Sequence, residues 1–77
     1  MNQEEFLALV DETLEEDAGT ASMESNLDDL GWDSLANISF IAEVDTRHGV
    51  EIDAERLAKA ESVADLFELL TEAIAAA

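Results

Sequence analysis

Three observations predict an all-α fold, a small four-helix bundle with three longer helices and one short third helix. Apolar residues recur at three- and four-residue spacing in separate stretches, the period of a helix buried on one face. Proline is absent, and alanine, leucine and glutamate, all strong helix formers, are abundant. Asparagine, aspartate, serine and glycine stand where the periodic stretches begin and end, as caps and stops do. The 77 residues suit a single domain over residues 1–77, with no linker and no internal repeat, and leave no room for a separate catalytic domain. A domain of this size buries only about 60–65% of the surface its unfolded chain exposes, so modest stability is expected.

Asn2 can cap a first helix over residues 3–16, with Glu5 completing a capping-box-like pair. Phe6, Val10 and Leu14 make its inward stripe, flanked by Leu7 and Leu9, and Glu4, Glu5, Asp11, Glu12, Glu15 and Glu16 its outer face. The acids at its C-terminal end oppose the helix dipole, a mild local cost. Gly19 ends the helical region. Residues 17–33 form a connection longer than the ~12–15 residues usual for a structureless loop. Met23, Leu27 and Leu30 are spaced to dip into the core, and Ser25 with Asp28 can cap a short turn.

The second helix runs from Ser34 to His48. Leu35, Ile38, Ile41, Ala42 and Val44 are expected on or near its buried stripe, with Phe40 toward one edge. Each large side chain buried is worth about 1.5–3 kcal/mol. Gly49 is placed as the stop, and Val50-Glu51-Ile52 is a short extended link with two apolar anchors. Asp53 can cap a brief third helix, Ala54 to Lys59, with Leu57 turned inward. Ser62 and Asp65 make a second capping-box-like pair before a final helix with Val63, Leu66, Phe67, Leu70 and Ile74 on one face. Its alanine-rich end is expected to fray.

Twenty acidic residues against three basic ones give a formal net charge of −17. A hydrophobic content of 48% is too high for a disordered chain even so. The charge excludes nucleic acid, whose phosphates would repel the protein, and argues against an anionic membrane surface. Basic protein surfaces are the natural partners, and the field speeds encounter with them. The absence of cysteine removes disulfides and thiolate metal sites. No apolar run approaches a membrane span, and the first residues lack the basic region of a signal peptide, so a cytoplasmic monomer is expected.

Within this frame the stretch Gly31-Trp32-Asp33-Ser34-Leu35 carries the chemistry. Asp33 is suited to cap the second helix, and Leu35 is expected to tie the turn to the core. Ser34 between them should face solvent, at a helix N-terminus whose free N–H groups and dipole favour an anionic group such as a phosphate ester. The plain alternative is a Ser/Asp capping pair of the kind any helical protein has. Trp32 matches no apolar stripe. It is free to contact a partner or to pack on the domain.

Two sharper chemistries fail on spacing. An EF-hand loop begun at Asn26 finds ligands or glycine at Asp28 and Gly31, but Leu30 and Asn37 stand where oxygen ligands are required, so no metal site is expected. A serine hydrolase needs a base within hydrogen-bond reach of its nucleophile. His48, the only histidine, lies at the far end of the helix that Ser34 begins, about 21 Å away at the rise of an α-helix. No catalytic residues are assigned, and the chain is expected to be acted on by enzymes.

The order of elements, with Asp33-Ser34-Leu35 opening the second helix and Gly49-Val50-Glu51-Ile52 following it, resembles the acyl and peptidyl carrier protein family over nearly the whole chain. The resemblance implies a four-helix fold of acyl-carrier-protein type. It implies that Ser34 receives 4′-phosphopantetheine from coenzyme A through a phosphopantetheinyl transferase, and that the thiol of this arm holds an acyl or aminoacyl group as a thioester. Asp33 and Leu35 then match the flanking residues that transferases and client enzymes contact. The second helix is the main docking surface, with Leu35, Ile38 and Ala42 as its apolar contact; Trp32 is placed to meet the arm or a partner. The implied partners are the transferase, an acyl- or aminoacyl-loading enzyme, and downstream synthase or transferase enzymes with basic docking patches. The chain lacks cysteine, so the arm supplies the only thiol.

Departures from the family pattern point to a specialised role. Fatty-acid carriers typically have a densely acidic second helix, often with Phe before the Gly-Val-Glu-Ile stretch. Here Ser39, Thr46 and Arg47 thin the acidic face, and His48 holds the Phe-like position. A discrete carrier of polyketide or nonribosomal peptide biosynthesis is the preferred expectation. A carrier of type II fatty acid synthesis and an unmodified acidic helical interaction domain are the alternatives.

Overall fold

Four α-helices and one 3-10 turn (Asp28–Leu30) carry the chain: α1 (Gln3–Thr13), α2 (Ser34–His48), α3 (Ala54–Ala58) and α4 (Val63–Ala76). The computed structural model describes residues 2–17 and 19–76. The helices α1 and α3 each pack against both α2 and α4. Phe6 is central to the core, edge-on to Phe40 of α2 at 6.2 Å and to Phe67 of α4 at 5.0 Å between ring centroids. Leu9, Val10, Val44, Leu57, Val63, Leu66 and Leu70 fill the space around these rings. The three longer helices and the short third one stand as predicted.

The caps explain the boundaries. Asn2 Oδ1 accepts from the Glu5 N–H at 2.8 Å, and Glu5 answers with its carboxylate to the Asn2 side-chain amide. Asp53 Oδ1 accepts from the Glu55 N–H. Ser62 and Asp65 form the reciprocal pair expected of them, and Asp65 also accepts from the Glu61 N–H at 3.0 Å. Gly49, at φ 65°, closes α2 by donating its N–H to the Asp45 carbonyl at 2.8 Å. Val50 and Ile52 anchor the link to α3. The helix α4 keeps its form to Ala76, and Ala77, where fraying was also expected, lies outside the described residues.

The end of α1 differs from expectation. The helix stops at Thr13, short of residue 16, and Gly19 takes no part in stopping it. Glu15 adopts the left-handed conformation at φ 58°, while Glu15 and Glu16 donate their N–H groups to the Glu12 and Asp11 carbonyls. This is a Schellman ending with a glutamate where glycine is usual. Asp11, expected on the outer face, is 4% exposed. Its carboxylate accepts from the N–H groups of Gly19 at 3.0 Å and Ala21 at 2.9 Å. The chain therefore turns early so that its backbone can wrap the acid, because a buried carboxylate must be hydrogen-bonded.

The connection to α2 is ordered by the core and by α4. Leu27 is buried, and Met23 and Leu30 are half-buried, as expected. Ser25 and Asp28 do not cap the turn. The Ser25 hydroxyl accepts from the Ser22 N–H instead, and Leu27 precedes the 3-10 turn with no side-chain cap. Asn26 and Ser62 form an isolated antiparallel bridge, with the Leu27 N–H donated to the Glu61 carbonyl at 2.9 Å and the Val63 N–H to Ser25 at 3.0 Å. The loop is strapped to the start of α4.

The phase of α2 is the largest correction. Its buried residues are Ala36, Phe40 and Val44, with Ile41 half-buried. Leu35 and Ile38 are 72% and 64% exposed, and Ala42 is exposed as well. Phe40 is fully buried at the centre of the interface, not at an edge. The helix is apolar on two sides, and the side holding Phe40, the largest group, faces the core because it recovers the most area.

Candidate functional site

The site is the entrance of α2. The 3-10 turn ends at Gly31, whose φ of 71° reverses the chain with its N–H on the Asp28 carbonyl. Trp32 donates its backbone N–H to the Leu27 carbonyl at 3.0 Å. Its ring stands edge-on to Phe40 at 5.7 Å, and its Nε1–H donates to Asn37 Oδ1 at 2.5 Å. Trp32 is thus a packing residue that staples the incoming loop to the first turn of α2. The stripe pattern missed it because its partners, Asn37 and Phe40, lie on another element.

Asp33 is the N-cap, extended at φ −127°, and its Oδ1 accepts from the Ala36 N–H at 3.0 Å. Its carbonyl takes the Asn37 N–H at 3.0 Å. The N–H groups of Ser34 and Leu35 therefore stand at the helix mouth with no acceptor inside the helix. Ser34, the first residue of α2, is exposed, and its hydroxyl enters none of the side-chain hydrogen bonds among the described residues. Chemically this is a free primary alcohol beside two spare donors at the positive end of a 15-residue helix. A phosphodiester on that oxygen is favoured, and the residues present fit 4′-phosphopantetheine.

The surface beside Ser34 is the outer face of α2: Leu35 and Ile38, the large hydrophobics left in water, with Ala42 and Ser39 also exposed. The placement of Leu35 and Ile38 overturns their expected burial. Arg47, expected to add a positive charge to this surface, is instead tied to Glu12 of α1 and, at 3.1 Å, to Glu43. The hydrogen bond to Glu12, reinforced by Glu43, raises its pKa above the ordinary guanidinium value. Its charge is spent locally. His48 is exposed at the end of α2, far along the helix from Ser34. Among the described residues no cluster of acidic, histidine or cysteine side chains is arranged to hold a metal, and no helix is long and apolar enough to cross a membrane.

Comparison with known proteins agrees with this geometry. The family model described as the phosphopantetheine attachment site matches residues 4–70. The fold is similar to that of the acetyl actinorhodin acyl carrier protein from Streptomyces coelicolor, with TM-score 0.82 and 24% identity over 99% of this chain and 93% of that one. It is similar also to an acyl carrier protein from Thermotoga maritima, with TM-score 0.76 and 22% identity over 94% and 85% of the two chains. For the holo acyl carrier protein from Geobacter metallireducens the TM-score is 0.78 and the identity 20%, over 99% and 90%. No curated protein matches the chain. With most of its length matched by the family model and its four helices arranged as in these carriers, the chain belongs to the phosphopantetheine attachment family, acyl-carrier-type domains that bear 4′-phosphopantetheine on a serine.

Proposed function

We propose that Ser34 is the attachment serine and that residues 1–77 act as a single non-catalytic carrier domain. One observation carries this: Ser34 is an exposed, uncommitted hydroxyl at the capped N-terminus of α2, inside the matched segment. When attached, the arm supplies a terminal thiol that holds an acyl or aminoacyl group as a thioester. The chain's own residues do the rest. Asp33 fixes the first turn, the N–H groups of Ser34 and Leu35 favour the phosphodiester, and Trp32 holds the loop in place. Leu35, Ile38 and Ala42 offer an apolar contact to the phosphopantetheinyl transferase, the loading enzyme and the downstream synthase enzymes. The acidic charge steers their basic surfaces.

The pathway we assign is a specialised one, polyketide or nonribosomal peptide synthesis, in the cytoplasm and as a monomer. The support is the thinned acidity of the outer face of α2, where Ser39 and Thr46 stand beside Asp45 among the exposed residues. Arg47 no longer contributes to this, since its charge is cancelled by Glu12 and Glu43. One of the similar structures is an intermediate mimic from the actinorhodin polyketide synthase.

Incubation with coenzyme A and a broad-specificity transferase, followed by intact-mass measurement, should add one phosphopantetheinyl group to the wild type and none to Ser34→Ala. The variant should remain folded, because Asp33 still caps. A modified Ser34→Ala, or a wild type inert to several transferases, refutes the assignment. The pathway is tested by malonyl transfer from a fatty-acid transacylase. Ser39→Glu with Thr46→Glu should raise the rate at low salt. Wild-type rates equal to those of a fatty-acid carrier would sink the specialised assignment.

A further inference from the structure

A groove of about 350 Å3 runs between the end of α1 and the start of α2. Asp33 and Leu35, the two neighbours of Ser34, both line it, as do Ala36 and Ser39 from the next turn of α2. The opposite wall is Thr13, Leu14 and Glu15, brought there by the early left-handed ending of α1. We propose that this groove is the resting seat of the pantetheine portion of the arm, so that α1 and α2 together hold it against the domain. The seat depends on Ser34 being the attachment serine.

The chemistry of the walls suits an uncharged, amide-bearing chain. Thr13 donates its hydroxyl hydrogen to the Leu9 carbonyl at 2.8 Å, which leaves its oxygen to accept an amide N–H. Ser39 is exposed and can donate to an amide carbonyl or accept from an amide N–H. Leu14, Leu35 and Ala36 supply apolar surface for methyl and methylene groups. The carboxylates of Glu15 and Asp33 accept from N–H groups and repel anions. They keep the phosphate at the helix mouth, on the Ser34 and Leu35 N–H groups, while the neutral segment enters the groove. The volume lies at the small end of the range for ligand sites, consistent with a thin chain and no bulky head. A second groove of about 300 Å3, between α3 and α4, carries Arg56 and Lys59 but neither neighbour of Ser34.

The test uses the isotopically labelled full chain, converted enzymatically from apo to holo form and checked by intact mass. The expected NMR result is amide shift changes concentrated at Thr13, Leu14, Glu15 and Ser39. Nuclear Overhauser contacts should run from the geminal methyl and amide protons of the arm to the same residues. In the Thr13→Val, Ser39→Ala protein those shift changes should fall at least twofold, with the fold confirmed by its unchanged core methyl spectrum. A mass gain with no such contacts, or with contacts to the α3–α4 groove instead, overturns the seat and leaves Ser34 as the attachment residue. No mass gain overturns the Ser34 assignment and the seat with it. Unchanged shifts in the double variant show that the hydroxyls hold nothing and refute the proposed chemistry.

Discussion

The helices α2 and α4, of 15 and 14 residues, use their apolar side chains in opposite ways. In α4, Val63, Leu66, Leu69 and Leu70 are all buried, and the helix spends its hydrophobicity on the core. In α2, Ala36, Phe40 and Val44 are buried, while Leu35 and Ile38 stay 72% and 64% exposed. At 3.6 residues per turn these two sets fall on opposite sides of one cylinder. A helix that leaves its large aliphatic groups in water forgoes stability the domain can ill spare. The helix α4 gives its large apolar groups to the core, whereas α2 leaves two of its own in water beside Ser34, the face for which docking is proposed above.

The sharpest way to break this contrast is truncation. Phe40→Ala should cost about 3–5 kcal/mol and Leu66→Ala about 2–5 kcal/mol in denaturant unfolding. Leu35→Ala should stay within about 0.5 kcal/mol of wild type, as surface substitutions do. Equal losses for Leu35→Ala and Phe40→Ala would mean that α2 is rotated from the phase described.

A second comparison sets the α4 cap against pH. The Glu61 N–H above all, with further bonds from Ser62, holds the Asp65 carboxyl below its usual pKa against an opposing effect of burial. A folded pKa below the unfolded one means stability present above about pH 4 and lost as pH falls through the folded value. Asp65→Asn should therefore cost about 1 kcal/mol at pH 7, and its melting temperature should converge with that of the wild type in acid. A gap that stays constant between pH 7 and pH 2 would show that the carboxylate charge is irrelevant to this cap.

The smallest effect concerns the ending of α1. Glu15→Gly should raise stability by up to about 1 kcal/mol, since glycine takes φ 58° without the steric penalty of a side chain. It also removes an anion from the negative end of α1. A lower denaturation midpoint would indicate that Glu15 contributes contacts outweighing its strain.

These results also mark what was legible in the sequence. Cap positions were read correctly at Asn2, Asp33, Asp53, Ser62 and Gly49 because a cap is a local device, decided by a residue and its near neighbours. The exposure of Ser34 followed from the same local logic. The inward face of α4 was largely clear because its apolar residues crowd one side, though Leu69 is buried beyond those expected while Phe67 and Ile74 are half-buried. The phase of α2 was not, because two apolar stripes compete and only the presence of Phe6 opposite Phe40 decides between them. Asp11 was misplaced for a related reason. Its partners are the N–H groups of Gly19 and Ala21, which no periodicity reveals. Arg47 looked like a surface charge because Glu12, which pairs with it, is 35 positions away.

The position of Trp32 has an optical consequence. It is the chain's only tryptophan, and there is no tyrosine, so near-ultraviolet absorption and emission report on a single indole. That indole, two residues before Ser34, is half-buried, edge-on to Phe40 and hydrogen-bonded through Nε1 to Asn37. Loosening of the first turn of α2 exposes the ring to water and shifts its emission to the red. Ser34 belongs to the same first turn. The protein thus carries a built-in fluorophore at the entrance of α2, able to follow changes in that turn without any label.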